Sequence, residues 1–348
     1  MNAPAVSVVV PVFNAEKYFA ECLDSLLNQT FQDFEVVVVD DCSTDSSVEI
    51  AESFLEKFGG RLTIYDNEKN SGPSVSRNKG LNVARGEYIF SLDADDLILP
   101  DGLENLFNLA KTFDVDVVSC TGHYDLSDDG SEKILRRLKR PTATDENIFE
   151  NNFEWRVEGL LVDNFYWAPW RRLSRRKFLI DNGLFFKEGL DHYEDLLWTF
   201  EILLCAEKIL HTPLIAYVYR KSAGSLGRQE RTPLQDINLF INFIFQGIGR
   251  LDALMNKIPF FEKNPNYRFE ILMHFAKRYF DLIYKVDPDV PQDELYHSIK
   301  EEFGKNFGEY DVLFSVLCAL LNEYQKDLKN AEVRIKKLEK NLKQREKS

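Results

Sequence analysis

An α/β fold on a parallel sheet is what the first hundred residues of this 348-residue chain predict. Two observations carry that expectation. Continuous Val/Ile runs recur with little polar interruption, and amphipathic segments with helical periodicity separate them. Strands of that kind are covered on both faces, and the intervening helices are what covers them.

In order, "VSVVVPVF" (6–13) reads as a buried strand and "EKYFAECLDSLLNQ" (16–29) as an amphipathic helix. "FEVVVVDD" (34–41) is a second strand, and "TDSSVEIAESFLEKF" (44–58) a helix with a Ser/Thr/Asp start, capped by Ser43 or Thr44. "LTIYD" (62–66) follows as a strand, "PSVSRNKGLNVA" (73–84) as a helix with proline in its first turn, and "EYIFSL" (87–92) as a fourth strand. Beyond residue 120 the pattern weakens. Residues 124–150 read as polar loop with short elements, and 152–173 as an aromatic-rich stretch. A helix is expected over 192–209 and a strand over 214–225 running into a Gly/Ser loop, with helices from about 233 onward.

The formal charge of −14 argues against general nucleic-acid binding, which needs a basic surface. Cys22, Cys42, Cys120, Cys205 and Cys318 have neither CxxC spacing nor even number, so neither a disulfide framework nor a zinc site is expected. No leader peptide or spanning run is visible. The expected location is cytoplasmic or peripheral on the inner face of the cell membrane.

Acidic clusters end two strands. Asp40 and Asp41 close the second, and Asp93, Asp95 and Asp96 follow the fourth in "SLDADDLI". Ligands in such sheets collect at the carboxyl ends of the strands, so both clusters should share one rim. An EF-hand is excluded because Leu97 and Ile98 stand where that loop needs an acidic residue and glycine. Hard carboxylate oxygens at this position suit Mg²⁺ or Mn²⁺ with a diphosphate completing the shell. Glu194 and Asp195 open the helix of "YEDLLWTF", either as simple N-terminal charge stabilisation or as chemistry. "NFYWAPWRRL" offers Trp167 and Trp170 to an acceptor sugar or to the core, and Arg171 to a phosphate of the acceptor.

The stretches "VSVVVPVFNAEKYFAECLDSLLNQTFQDFEVVVVDDCSTDSS", "NSGPSVSRNKGL", "GEYIFSLDADD" and "YEDLLWTF" resemble the family 2 glycosyltransferases. The resemblance covers roughly residues 5–225, and it implies the GT-A fold, a Rossmann-like, mixed but mainly parallel sheet flanked by helices. It implies an inverting, metal-dependent hexosyl or N-acetylhexosaminyl transfer (EC 2.4) from a UDP-sugar to a glycan, polyol-phosphate or lipid-linked acceptor, as in bacterial surface glycan synthesis. On that resemblance Pro11, Asn14 and Asp41 belong to the base and ribose pocket, with Arg77 near the nucleotide. Asp93, Asp95 and Asp96 bind ribose and metal. Asp195 is the base with Glu194 beside it, and Arg220 and Ser225 close over the diphosphate.

Two alternatives remain open here, a sugar nucleotidylyltransferase and a non-catalytic nucleotide-sugar-binding scaffold. The former usually carries a glycine-rich N-terminal loop that "VPVFNAEKY" lacks. The expected organisation is a catalytic domain over 1–225 (halves about 1–98 and 99–225), a helical region over 226–312 and an amphipathic helix over 313–348. In that last helix Phe314, Leu317, Leu321, Tyr324, Leu328, Ala331, Ile335, Leu338 and Leu342 form a heptad seam. The seam must bury itself against the body, against a copy of the chain in a homo-oligomer, or at a membrane surface.

Overall fold

The computed structural model describes residues 3–137, 148–150, 152–161, 167–190, 193–222, 239, 243–283, 334, 336 and 337. Ser225 and the heptad seam from Phe314 to Leu342 lie outside them. The chain divides into two compact units, Met1–Glu230 and Arg231–Ser348.

The first unit opens with the expected alternation: β1 (Val6–Val12), α1 (Phe19–Leu27), β2 (Phe34–Asp40), α2 (Ser47–Phe58), β3 (Leu62–Asp66), α3 (Pro73–Val83) and β4 (Tyr88–Ser91). Burial explains it, because β2 is buried at every position and β1 at all but Pro11. Parallel pairing runs β3-β2-β1-β4, with Val8 opposite both Val36 and Phe90. Helix α3 lies close on this sheet, since a Cβ at Gly80 would stand 2.2 Å from Val9 Cγ1. Helix α2 starts later than expected. Ser43 and Thr44 are drawn to Asn14 instead, and Asp45 accepts from Ser47 at the helix start.

The remaining elements are β5 (Leu97–Ile98), α4 (Gly102–Phe113), β6 (Val117–Cys120), β7 (Gly122–Ser127), β8 (Lys133–Arg137), β9 (Ile148–Glu150), α5 (Phe153–Leu161), a 3₁₀ turn Pro169–Arg171, β10 (Arg172–Arg175), α6 (Arg176–Asp181), α7 (Glu194–Cys205), β11 (Ile209–Thr212) and β12 (Tyr217–Lys221). Among the described residues the large sheet runs β3-β2-β1-β4-β10-β6-β11-β9, with β10 antiparallel between β4 and β6 and β9 antiparallel at the edge. The sheet is therefore mixed and mainly parallel. A second sheet runs β5-β12-β7-β8, with β7 and β8 as short elements of the stretch expected as polar loop and β12 within the strand expected over 214–225. Helix α7 also stops at Cys205, because Ile209–Thr212 pairs with β6 as a strand.

In the second unit a π-helical turn, Ile244–Ile248, leads into helices Gly249–Met255, Pro259–Lys263 and Pro265–Ile283. Phe243 and Phe275 stack at 4.6 Å, both fully buried. Prolines at 259 and 265 stand in the first turns of their helices, where a missing N–H costs nothing.

Candidate active site

Because β2, β1 and β4 are parallel neighbours, their carboxyl ends form one rim. Helix α3 ties the two acidic clusters together across it. Asp41 accepts from Asn67 Nδ2 (2.7 Å), the Ser71 N–H (2.9 Å) and the Gly72 N–H (2.7 Å), which fixes the start of α3. Five residues on, Arg77 donates from Nη2 to Asp93 Oδ1 at 2.9 Å and from Nη1 to Glu194 Oε1 at 3.4 Å. At 1.5 Å rise per residue, those anchor points are about 8 Å apart along the helix. Asn78 next to it holds the approach to α7, donating to the Phe186 carbonyl and accepting from the Phe186 N–H.

Backbone strain collects at this rim. Asn14, Cys42 and Tyr193, three of the four non-glycine residues with positive φ among the described residues, follow β1, follow β2 and precede α7. For Cys42 (φ +62°) and Tyr193 (φ +69°) that conformation is costly and is held in place by the surrounding structure.

The acidic trio divides into separate tasks. Asp96 is fully buried and accepts from the Tyr217 hydroxyl (2.6 Å) and the Arg220 N–H (2.6 Å), so neither oxygen faces the rim. That corrects its expected place among the metal ligands. Asp93 and Asp95 each keep one carboxylate oxygen without a hydrogen bond to another of the described residues. Asp93 uses Oδ1 on Arg77, and Asp95 uses Oδ2 on the Ser222 hydroxyl at 2.8 Å. Burial, and then the like charge of Asp93, pushes the Asp95 carboxyl up, which a cation between them would relieve. Two hard oxygens fit a divalent ion whose shell a ligand completes, although no preformed cluster of three or more ligating side chains exists among the described residues.

Arg220 is also corrected. It is 3% exposed, with Nε on the Asp95 carbonyl (3.0 Å), Nη2 on Glu21 (2.7 Å) and its plane 4.8 Å from the Tyr18 ring. It braces the strand rather than presenting a charge to a diphosphate. Asn14 turns its side-chain oxygen to the Thr44 N–H at 2.8 Å. Pro11 pairs in register with Val39 near the end of β1. Asp40, to which no role was assigned, carries a buried Oδ1 without a hydrogen-bond partner among the described residues.

Glu194 and Asp195 begin α7 beneath Arg77. The helix dipole was expected to favour their charged forms, but burial dominates. Burial and then the Asp195 charge push Glu194 up to about 7, and burial raises Asp195 against the pull of Arg77. A turn further along, Thr199 accepts from Arg172 Nη1 (3.1 Å) and donates to the Trp167 carbonyl (2.6 Å). Fully buried Arg172 also lends its positive charge to Asp195.

The expected acceptor patch splits in the same way. Trp170 is buried, stacked on Tyr217 at 4.1 Å and on Tyr219 at 5.7 Å. Arg171 is 1% exposed and sits against His123, with burial lowering its pKa to about 9. Both belong to the packing between the two sheets. Trp167 alone of the three is open, at 36%.

The Glycosyl transferase family 2 profile matches residues 7–168, which contain both acidic clusters and α3. A Bacillus subtilis protein described as the uncharacterized glycosyltransferase EpsJ is 32% identical over 238 residues, 68% of this chain and 67% of its own length. The chain belongs to the family 2 glycosyltransferases. That membership removes the nucleotidylyltransferase alternative. A poly(ribitol-phosphate) beta-glucosyltransferase of Bacillus spizizenii is 30% identical over 62% of this chain and 32% of its own length. Among solved structures, S. aureus TarS 1–349 in complex with UDP-GlcNAc is similar at a TM-score of 0.57 and 25% identity, over 79% of this chain and 80% of that one. The mixed sheet of this glycosyltransferase is the GT-A arrangement of that structure.

Proposed function

We propose that this glycosyltransferase is an inverting enzyme that takes a hexose or N-acetylhexosamine from a UDP-sugar and places it on a saccharide or polyol-phosphate hydroxyl of a bacterial surface glycan. One observation carries the reading: Arg77 joins Asp93, at the tip of β4, to Glu194, at the start of the helix that carries Asp195. Donor-side and acceptor-side carboxylates thus belong to a single hydrogen-bonded assembly.

Inversion needs a carboxylate that removes the proton of the attacking hydroxyl on the side opposite the leaving group. Asp195 has that role here. Its raised pKa makes it a stronger base than a free aspartate, while Arg77 and Arg172 keep its ionised form accessible. Glu194 stands beside it as a second carboxylate whose proton is exchangeable near neutral pH. Pro11, Asn14 and Asp41 frame the base and ribose, with Asp41 acting through the loop it fixes.

Asp93 and Asp95 would hold Mn²⁺ or Mg²⁺. When bound, such an ion offsets the charge that develops on the departing diphosphate. Trp167 offers an aromatic face to the acceptor sugar, next to the base helix. The UDP-GlcNAc in the TarS crystals and the polyol phosphate named for the Bacillus spizizenii relative support this choice of donor and acceptor.

The test is a screen of nucleotide sugars with Mn²⁺ against saccharide and polyol-phosphate acceptors, reading released nucleotide by mass spectrometry. Acceptor-dependent release of UDP that stops on chelation is expected. Release of a different nucleotide, or full activity in chelator, contradicts the donor or metal assignment. Binding of UDP without any turnover favours the scaffold alternative.

A further inference from the structure

Given Asp93 and Asp95 as the metal's ligands, the reading on which this rests, we propose that Ser222 makes the site selective for a small octahedral ion, Mg²⁺ or Mn²⁺, over Ca²⁺. Each of the two carboxylates is committed on one side. Asp95 Oδ2 accepts the Ser222 hydroxyl at 2.8 Å, and Asp93 Oδ1 accepts Arg77 Nη2 at 2.9 Å. One oxygen of each is left for an ion. Chelation through both oxygens would require the carboxylate plane to turn and abandon its donor.

Neither donor is free to follow such a turn. Ser222 is 4% exposed and directly follows β12. That strand is pinned to the acidic loop at four further points. The Tyr217 hydroxyl donates to Asp96 Oδ2 (2.6 Å) and accepts from the Asp93 N–H (3.2 Å). The Arg220 N–H donates to Asp96 Oδ1 (2.6 Å) and Arg220 Nε to the Asp95 carbonyl (3.0 Å). Arg77 is equally confined, with its plane 5.3 Å from the Phe186 ring.

The count of oxygens selects the ion. Ca²⁺ takes about six to eight oxygens at about 2.3–2.6 Å and gains from bidentate carboxylates. Mg²⁺ takes an octahedral shell at about 2.0–2.1 Å, from one or two carboxylates with water and substrate phosphates, and Mn²⁺ suits the same oxygen set. Two single oxygens satisfy the second pattern and starve the first. Of the two donors, Ser222 is the one whose removal leaves the rest of the site assembled, because Arg77 also holds Glu194.

The experiment is titration calorimetry of UDP into the full chain at saturating Mn²⁺, Mg²⁺ or Ca²⁺. Wild type should bind UDP about ten-fold more tightly with Mn²⁺ or Mg²⁺ than with Ca²⁺. Ser222→Ala should close that gap by strengthening binding with Ca²⁺, at an unchanged melting temperature. Ser222→Thr, which keeps the hydroxyl, should preserve the wild-type ratio. Equal affinity with Ca²⁺ and Mn²⁺ in the wild type, a ratio that Ser222→Ala leaves unchanged, or a loss equal for all three ions overturns the proposal and leaves the metal assignment standing. Wild-type UDP affinity that no ion alters removes the metal assignment itself, and the selection with it.

Discussion

Arg77 Nη2 lies 2.9 Å from Asp93 Oδ1, with the guanidinium 9% exposed. Burial works against that charge, but Asp93 and then Glu194 outweigh it and hold Arg77 above the ordinary arginine range. The carboxylates that end β4 are thus not simply waiting for a cation, because the fold supplies one of its own. Arg77→Met should leave Asp93 and Glu194 without their common partner. A loss of about 3 kcal/mol in unfolding free energy at pH 8 is expected from urea denaturation. The loss should be smaller at pH 5, where Glu194 is protonated.

Glu194 gives stability a definite pH dependence. Its pKa of about 7 in the native protein lies above the ordinary 4.5. The native state therefore holds this proton more tightly than the unfolded chain. The resulting stabilisation is complete below about 4.5 and is lost as pH rises to about 7. Glu194→Gln should raise the melting temperature at pH 8 and leave it nearly unchanged at pH 4.5. Differential scanning fluorimetry across that range checks the sign.

Asp96 and Asp95 should separate cleanly. Asp96→Asn sets an amide N–H₂ against one of two buried donors, Tyr217 or the Arg220 N–H, and should cost about 1–3 kcal/mol. Manganese affinity in the presence of UDP should persist in that variant. Asp95→Asn should do the reverse, keeping stability while weakening the metal, as read by titration calorimetry.

The two tryptophans should separate as well. Trp170→Ala removes a ring stacked between the sheets and should destabilise by about 3–5 kcal/mol. Trp167→Ala should leave stability and donor affinity alone and raise the acceptor KM. Steady-state kinetics with each substrate varied in turn distinguishes the outcomes.

The sheet's first four strands and three helices were legible because burial on both faces leaves unbroken apolar runs such as VVVV at 36–39. Of the second sheet only β12 was, within the strand expected over 214–225. Strands β7 and β8 are short and carry His123, Asp125 and Arg136, whose polarity reads as loop until their mutual pairing is seen. Strand β10 was hidden for the same reason, since Arg172 and Arg175 look solvated in sequence although Arg172 is fully buried. At the site, the positions of Asp93, Asp95, Glu194 and Asp195 followed from strand and helix ends. The inward turn of Asp96, Arg171 and Arg220 did not, and that of Trp170 stood as one of two readings, because the partners that draw them in lie up to about two hundred residues away, as Arg220 and Glu21 do.

The central claim is that Asp195 acts as the base in a site that binds its donor independently. Asp195→Asn, assayed for UDP affinity and for transfer, tests it most directly. UDP binding should stay close to wild type while turnover falls about 10²- to 10⁴-fold. Turnover near the wild-type rate, or loss of UDP binding together with activity, would contradict the account.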